Sequence, residues 1–220
     1  MRDFRDLLND AINSKSVSNE KTFEGKRLFS NISAKDFKEV FIHLCNSNLR
    51  KEHPEATFVI DNDNRMIINQ LYYYIRGDEQ FEGDLYKGIV LIGAYGSGKT
   101  TIMRTFAEIM EALFQKRHLL ISSYELLDLF TNKSQTIEYY ERRPLVIDEM
   151  GREMAAIKNY GTERHPMTEL ITLRYNAHSL TYGTSNFKLE SLREKYGEYV
   201  GDRLLQMCNF MVLQGLSRRK

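Results

Sequence analysis

A glycine-rich segment near the middle of the chain constrains the fold more than any other feature of the sequence. Residues 93–100 read Gly-Ala-Tyr-Gly-Ser-Gly-Lys-Thr, a complete G-x-x-x-x-G-K-[ST] pattern. The segment follows a short apolar run at residues 89–92 and precedes residues 101–114, where apolar side chains recur at helical spacing. A strand, this loop and a helix in that order form a phosphate-binding loop. The pattern therefore predicts an α/β fold with a triphosphate site at the end of a strand.

The residue types of this loop predict distinct roles. Glycines let the backbone turn so that successive N–H groups point at phosphate oxygens, and the helix that follows Gly98 adds the positive end of its dipole. We expect Lys99 to neutralise the β- and γ-phosphates of ATP and Thr100 to bind Mg²⁺ through its hydroxyl group. The expected nucleotide-binding residues are Gly93, Ala94, Tyr95, Gly96, Ser97, Gly98, Lys99, Thr100 and Thr101.

A second apolar strand ends in two acidic residues. Residues 144–147 read Pro-Leu-Val-Ile and are followed by Asp148 and Glu149. If this strand neighbours the first, Asp148 emerges beside the phosphate loop and completes the Mg²⁺ shell with Thr100. Glu149 can orient and deprotonate a water molecule for attack on the γ-phosphate, a function that a kinase does not need. The pair predicts ATP hydrolysis.

Apolar runs alternate with helix-length segments from residue 87 onwards. Five runs predict strands, at residues 89–92, 118–122, 144–148, 179–184 and 210–213. Strands that are apolar throughout and separated by helices imply a five-stranded parallel sheet between layers of helices. Because residues 150–178 exceed the length of one crossover helix, we expect two helices there, at 150–159 and 166–178, with a hinge at 160–162.

The first part of the chain has different local patterns, and only two of the 13 glycines lie in residues 1–80. We interpret the polar residues 16–31 as a linker or loop. Helical patterns occupy residues 4–12, residues 34–42 after a Ser33 cap, and residues 64–76. We place a boundary near residue 55, which divides a helical partner-binding arm (1–55) from an ATPase domain (56–220).

The composition excludes several classes of protein. With 31 Lys and Arg against 30 Asp and Glu, the net charge is +1, so a nucleic acid would have to be bound by a local patch. Cys45 and Cys208 are too few for a disulfide framework or a thiolate zinc site and favour a reducing compartment. Since neither a signal peptide nor an apolar run of ~18 residues is present, we expect a soluble cytoplasmic protein without a membrane partner.

Two later segments hold further candidates for the triphosphate site. Asn186, in Thr184-Ser185-Asn186, follows a predicted strand and is positioned to contact the attacking water or the γ-phosphate. Arg203 lies in a predicted helix and is a candidate arginine finger, which would stabilise charge on a neighbouring subunit's γ-phosphate. Pairing of Arg203 with Asp202 on the helix surface is an equally good interpretation of the residues alone.

The order of these motifs resembles that of the DnaC/DnaI/IstB-like branch of the AAA+ ATPases, which contains replicative-helicase loaders and transposition helpers. The resemblance covers about residues 58–219 and rests on the phosphate loop and on Asp148-Glu149-Met150-Gly151, Thr184-Ser185-Asn186, Gly201-Asp202-Arg203-Leu204 and Gly215-Leu216-Ser217-Arg218-Arg219. It implies a sensor-1 role for Asn186 and an arginine finger at Arg203. Arg218 occupies a position where the branch commonly has an aromatic residue, so the roles of Arg218 and Arg219 stay open.

The resemblance also implies a function. It implies a Mg²⁺-dependent ATPase that loads a replicative helicase in DNA replication and forms a homo-oligomer on single-stranded DNA when ATP is bound. The N-terminal arm would bind the helicase. In such loaders an extra helix after the Asp148-Glu149 strand contacts DNA, and the residues available there are Lys158, Tyr160, Arg164 and Arg174. Because the chain ends soon after the last strand, we expect no C-terminal lid subdomain.

Three alternatives share part of this pattern. An IstB-like transposition helper would have the same nucleotide-binding residues but would bind a transposase. A nucleotide or small-molecule kinase also uses a phosphate loop, but it requires a mobile lid with arginines and has no base such as Glu149 beside the Mg²⁺ aspartate. A nucleotide-dependent adaptor with negligible turnover is the third alternative.

Overall fold

The computed structural model describes residues 15–22, 25–132, 136–159 and 162–218. In these ranges the strands are β1 (Lys15–Thr22), β2 (Gly25–Ser30), β3 (Gly88–Ile92), β4 (Leu119–Ser122), β5 (Leu145–Met150), β6 (Ile157–Asn159), β7 (Thr162–Arg164), β8 (Thr181–Ser185) and β9 (Cys208–Val212). The α-helices are α1 (Ala34–Arg50), α2 (Arg65–Arg76), α3 (Lys99–Phe114), α4 (Ser123–Asn132), α5 (Pro166–Asn176), α6 (Leu189–Tyr196) and α7 (Glu198–Met207). A short 3-10 helix covers Ile137–Tyr140.

Five parallel strands form the central sheet, as the sequence predicts. Their order across the sheet is β4-β5-β8-β3-β9, and all four neighbouring pairs are parallel. Each strand overlaps one of the five predicted apolar runs. Strand β3 lies between β8 and β9, so the loop that follows β3 opens among the ends of neighbouring strands, where α/β sheets bind their ligands.

Helices cover both faces of this sheet because the side chains of a strand point alternately to either side. In β3, Ile89 and Leu91 pack in a hydrophobic cluster with α1, α2 and α3. Val90 and Ile92 pack in a second cluster with α4 to α7. This arrangement confirms the predicted α/β layers. Among the described residues, no helix has the length and apolar composition needed to cross a lipid bilayer.

Helix α1 is longer than its predicted nine residues and packs on the helix of the phosphate loop. Ser33 caps it as predicted, because the Ser33 hydroxyl accepts a hydrogen bond of 3.1 Å from the Asp36 N–H. Asn48 and Cys45 contact the hydroxyl group of Thr105 in α3, at 3.3 Å and 3.4 Å. The core therefore includes α1, which the sequence placed in the arm, and the functional division at residue 55 stays a prediction. The predicted helix at residues 4–12 lies outside the described residues.

The predicted linker at residues 16–31 is wrong, because β1 and β2 form an antiparallel hairpin there. Their register pairs Lys15 with Ser30 and Thr22 with Gly25. A two-stranded ladder is held by backbone hydrogen bonds and does not require the apolar alternation that marks a half-buried strand. Phe29 anchors the hairpin on α2, where a Cβ atom at Gly77 would lie only 2.7 Å from the Phe29 ring.

The helix predicted at residues 150–159 is also wrong. The backbone turns sharply at the end of β5, with φ values of 59° at Glu149 and 96° at Gly151, and then forms the β6–β7 hairpin. The buried Glu153 carboxylate fixes the turn by accepting hydrogen bonds from the Gly151 N–H (3.1 Å) and the Tyr196 hydroxyl (2.5 Å). One of these contacts is made two residues away in a turn and the other 43 residues away, so the local spacing of apolar residues could not reveal them. The second predicted helix is confirmed as α5.

Candidate nucleotide-binding site

The phosphate loop connects β3 directly to α3. Gly96 and Gly98 have φ values of 73° and 98°, in the left-handed region that favours glycine. Gly93 is required for a different reason, because a Cβ atom there would lie 2.7 Å from the Leu213 carbonyl oxygen. Helix α3 begins at Lys99, so its N-terminal N–H groups face the loop. The local backbone is thus the one that a phosphate-binding loop needs.

Lys99 and Asn186 lie in direct contact at this loop. The Lys99 side chain is buried, and its ammonium group donates hydrogen bonds to the Gly93 carbonyl (2.9 Å), the Ala94 carbonyl (2.7 Å) and Asn186 Oδ1 (2.7 Å). Asn186 reaches it because β8 is hydrogen-bonded to β3. The three partners are neutral, so a phosphate oxygen would bind the same ammonium group more strongly than they do.

Thr100 and Asp148 are also brought together, although β5 does not neighbour β3. Strand β8 lies between them, yet the Thr100 hydroxyl donates a 2.9 Å hydrogen bond to Asp148 Oδ1. Ser97 Oγ is buried in the same loop and has no hydrogen-bond partner among the described residues. An unsatisfied hydroxyl group in the loop, together with hard oxygen donors at its end, fits a triphosphate with Mg²⁺.

Thr184 links the two acidic residues, a role that the sequence did not assign to it. Its buried hydroxyl group donates a 2.5 Å hydrogen bond to Asp148 Oδ1 and accepts one of 3.0 Å from the Glu149 N–H. The β5–β8 ladder shifts register between Ile147 and Met150, where this side chain inserts. The position of Thr184 at the end of a predicted strand was the only signal that could have identified it.

Glu149 has an unusual backbone conformation, and its side chain pairs with an arginine that the sequence analysis missed. Its φ of 59° is uncommon for a residue with a side chain, and such strain is concentrated at functional sites. The carboxylate accepts a 2.5 Å hydrogen bond from Arg152, which raises the pKa of the Arg152 guanidinium. Arg152 also lies 5.6 Å from the ring centroid of Tyr95 and 5.5 Å from that of Tyr124. The expected general base is therefore engaged by a cation.

Arg203 lies on α7 and contacts other parts of its own chain. It is 8% exposed, donates a 2.8 Å hydrogen bond to the Thr172 hydroxyl and stacks 3.6 Å from the ring centroid of Tyr199. Asp202, the alternative partner for Arg203, accepts a hydrogen bond from Gln206 instead. None of these partners belongs to the phosphate loop of the same chain.

The burial of Arg174 contradicts its prediction as a DNA contact, because no part of its side chain reaches the surface in this structure. Its side chain is fully buried, and the guanidinium donates hydrogen bonds to Thr181 Oγ1 (2.9 Å) and to the carbonyls of Leu180 (2.6 Å), Arg143 (3.0 Å) and Tyr140. A buried cation with this many acceptors connects α5 to the segment before β5. Arg174 therefore has a structural role.

The other predicted DNA contacts remain predictions. Arg164 forms a bidentate ion pair with Glu169, with distances of 2.8 Å and 2.5 Å, and this pairing lowers the pKa of Glu169. Its charge is thus already partly compensated. Lys158 is in β6, but its side chain is outside the described set, and Tyr160 lies outside the described residues.

Comparisons with known proteins identify the fold. No family model matches the sequence, and no curated protein is significantly similar to it. Among solved structures, the chain is similar to DnaI, with 18% identity and a TM-score of 0.57 over 83% of this chain and 93% of that one. It is similar to the DnaC helicase loader, with 20% identity and a TM-score of 0.53 over 73% of this chain and 95% of that one. It is also similar to AMPPCP-bound DnaA from Aquifex aeolicus, with 15% identity and a TM-score of 0.50 over 71% of this chain and 48% of that one.

These similarities confirm the predicted α/β fold, in which helices flank a five-stranded parallel sheet. They extend over 93% of the DnaI chain and 95% of the DnaC chain. At identities of 20% or less they establish the fold alone.

Proposed function

We propose that this protein is a Mg²⁺-dependent ATPase that acts in DNA replication as a DnaC/DnaI-like helicase loader and assembles on single-stranded DNA. The observation that carries the proposal is the pair of contacts Lys99–Asn186 and Thr100–Asp148 at one end of the sheet. In these contacts a lysine ammonium group and an amide lie at one phosphate loop, together with a hydroxyl and a carboxylate group of the kinds that bind Mg²⁺. The structural similarity to DnaC and DnaI supports the loader class within this fold.

We assign each residue of the site a role in hydrolysis. Lys99 and the loop N–H groups would bind the β- and γ-phosphates, and Asn186 would orient the γ-phosphate or the attacking water. Thr100 and Asp148 would hold Mg²⁺, which when bound neutralises charge on the phosphate oxygens. Glu149 would take the proton of the attacking water on its carboxylate. Because Arg152 donates to Oε1 of that carboxylate, the proton would be accepted on Oε2 unless the Glu149–Arg152 pair separates first.

Replacing Lys99 with Ala tests the nucleotide site directly. We expect the affinity for ATP to fall by about 10²-fold, because a buried charged partner of the phosphates is lost. The measurement is titration of a fluorescent ATP analogue, with phosphate release as a second readout. Lys116→Ala is the matched control, since Lys116 is exposed after the end of α3. Equal ATP affinity in the Lys99→Ala variant and the native chain would contradict the assignment.

The partner is tested by removing residues 1–14. These residues contain the predicted amphipathic helix but not α1, whose loss would open the core. We expect the full chain in ATP to retain the replicative helicase of the same organism, and the chain that begins at residue 15 to lose it, because an apolar helix face would dock in a groove. The measurement is affinity capture with purified helicase and, separately, with a transposase encoded beside the gene. Retention of the transposase alone would favour the IstB-like alternative.

A further inference from the structure

The C-terminal segment at residues 213–218 runs along the phosphate loop. The Leu213 N–H donates a 2.7 Å hydrogen bond to the Ile92 carbonyl, where β3 ends. The Arg218 N–H donates one of 2.9 Å to the Gly96 carbonyl inside the loop. A Cβ atom at Gly96 would lie 2.3 Å from Ser217 Oγ, so the two segments are in close contact. The segment therefore forms one wall of the phosphate loop.

The Arg218 side chain crosses from this wall to the turn that precedes α2. Its guanidinium forms a bidentate ion pair with Asp61, at 2.6 Å and 2.9 Å, and lies 3.6 Å from Asp63. Hydrogen bonding from Arg218 lowers the pKa of Asp61 to about 2. We call these three side chains the tail clasp.

The two carboxylates of the tail clasp are fixed independently of Arg218. Asp61 Oδ1 accepts hydrogen bonds from the N–H groups of Asp63 (3.0 Å) and Asn64 (3.3 Å). Asp63 lies against Gly215, where a Cβ atom would be only 2.5 Å from its carboxylate and φ is 98°. The turn that faces this wall thus carries two negative charges, and both remain there if Arg218 is removed.

The position of Arg218 connects these charges to the triphosphate site. Its Cδ atom lies 4.0 Å from the place of a Cβ atom on Gly98, the residue immediately before α3. A nucleoside triphosphate brings several negative charges to the same loop. The carboxylates of Asp61 and Asp63 repel these charges unless a cation compensates them. Without Arg218, Asp61 and Asp63 would oppose binding of the phosphates.

We propose that Arg218 is a positioning residue for the nucleoside triphosphate, because its positive charge compensates one of the two negative charges of Asp61 and Asp63 beside the phosphate loop. This inference rests on the proposed nucleotide site. It adds the residue that allows phosphates to bind near the two carboxylates of the turn before α2. It also assigns a role to Arg218, which the sequence left open. The effect is electrostatic, so it increases with the number of phosphates on the ligand.

The test measures the affinity for fluorescent ATP and ADP analogues, without reference to hydrolysis. We expect Arg218→Ala to weaken ATP binding by about tenfold and ADP binding by less. We expect Asp61→Asn with Asp63→Asn to tighten ATP binding by about two- to fivefold, because Asn keeps the acceptor oxygen that the turn needs. The triple variant with Arg218→Ala loses one positive and two negative charges, so it should bind ATP no more weakly than the native chain. Arg142→Ala is the control, since Arg142 has a 73% exposed side chain.

The possible results separate the two proposals. If the native chain binds no triphosphate, both the proposed function and the proposed role of Arg218 are wrong. If the native chain binds ATP and Arg218→Ala binds it equally well, the clasp proposal alone is overturned. A loss of ATP affinity in the triple variant as large as in Arg218→Ala would also overturn it, because the carboxylates would then not be the cause. The Asn pair keeps the test decisive if Arg218→Ala is too unstable to measure.

Discussion

Replacing Glu149 with Gln is expected to lower the rate of ATP hydrolysis by about 10²–10⁴-fold, the usual contribution of a general base. Gln has the same shape as Glu and can still accept a hydrogen bond from Arg152, but it cannot take a proton from water. The phosphate loop is unchanged, so ATP affinity should stay within about threefold of the native value. Single-turnover phosphate release and titration of a fluorescent ATP analogue measure the two quantities.

Arg152→Gln is the matched control for this experiment. It removes the ion pair with Glu149 but leaves the carboxylate in place. If hydrolysis depends on the base, this variant should retain the native rate within about tenfold, since only a partly exposed ion pair is lost. Equal losses in Glu149→Gln and Arg152→Gln would show that the pair stabilises the turn at Gly151 rather than supplying a base.

The same comparison decides between turnover and the adaptor alternative. A helicase loader is expected to release phosphate in the presence of single-stranded DNA, and Glu149→Gln is expected to stop that release. If the native chain binds ATP and releases none with DNA and helicase present, the protein is a nucleotide-dependent adaptor. Transfer of the γ-phosphate to a small molecule would instead support the kinase alternative.

The parts of the site that could be predicted are those in which the local backbone conformation requires a particular type of residue. Gly96 and Gly98 adopt backbone angles that other residues rarely adopt, and Lys99 and Thr100 follow at the first turn of a helix. The same holds for the sheet, because strands that are buried on both faces must be apolar throughout. Their order was not predicted, and β8 separates β5 from β3, so the condition that these two strands are neighbours is not met.

The parts that could not be predicted depend on partners far away in the sequence. Arg164 and Arg174 belong to the same basic segment, yet one is paired at the surface and the other is enclosed by backbone carbonyls. Nothing in the local sequence distinguishes them, because the acceptors of Arg174 come from the end of the 3-10 helix and the start of β8. Arg152 was missed for the same reason, since its aromatic neighbours lie in the phosphate loop and in α4.

Arg203→Ala tests whether the active site is completed by a second subunit. We expect hydrolysis to fall by about 10³-fold with ATP affinity retained, because an arginine finger stabilises charge that develops only during phosphoryl transfer. In the free chain Arg203 is held by Thr172 and covered by Tyr199, whose side chain is 63% exposed. Rotation of this tyrosine at a subunit interface would expose the guanidinium to a neighbouring γ-phosphate.

Mixing two inactive variants distinguishes a finger in trans from a structural arginine. Lys99→Ala subunits bind ATP poorly but keep Arg203, whereas Arg203→Ala subunits bind ATP but lack the finger. In mixed oligomers on single-stranded DNA, some sites combine a nucleotide from one variant with Arg203 from the other, so phosphate release should recover to a measurable fraction of the native rate. The control replaces the first variant with the double variant Lys99→Ala with Arg203→Ala, which can complete no site. If the mixture is as inactive as this control, Arg203 acts within its own chain and the trans assignment is wrong.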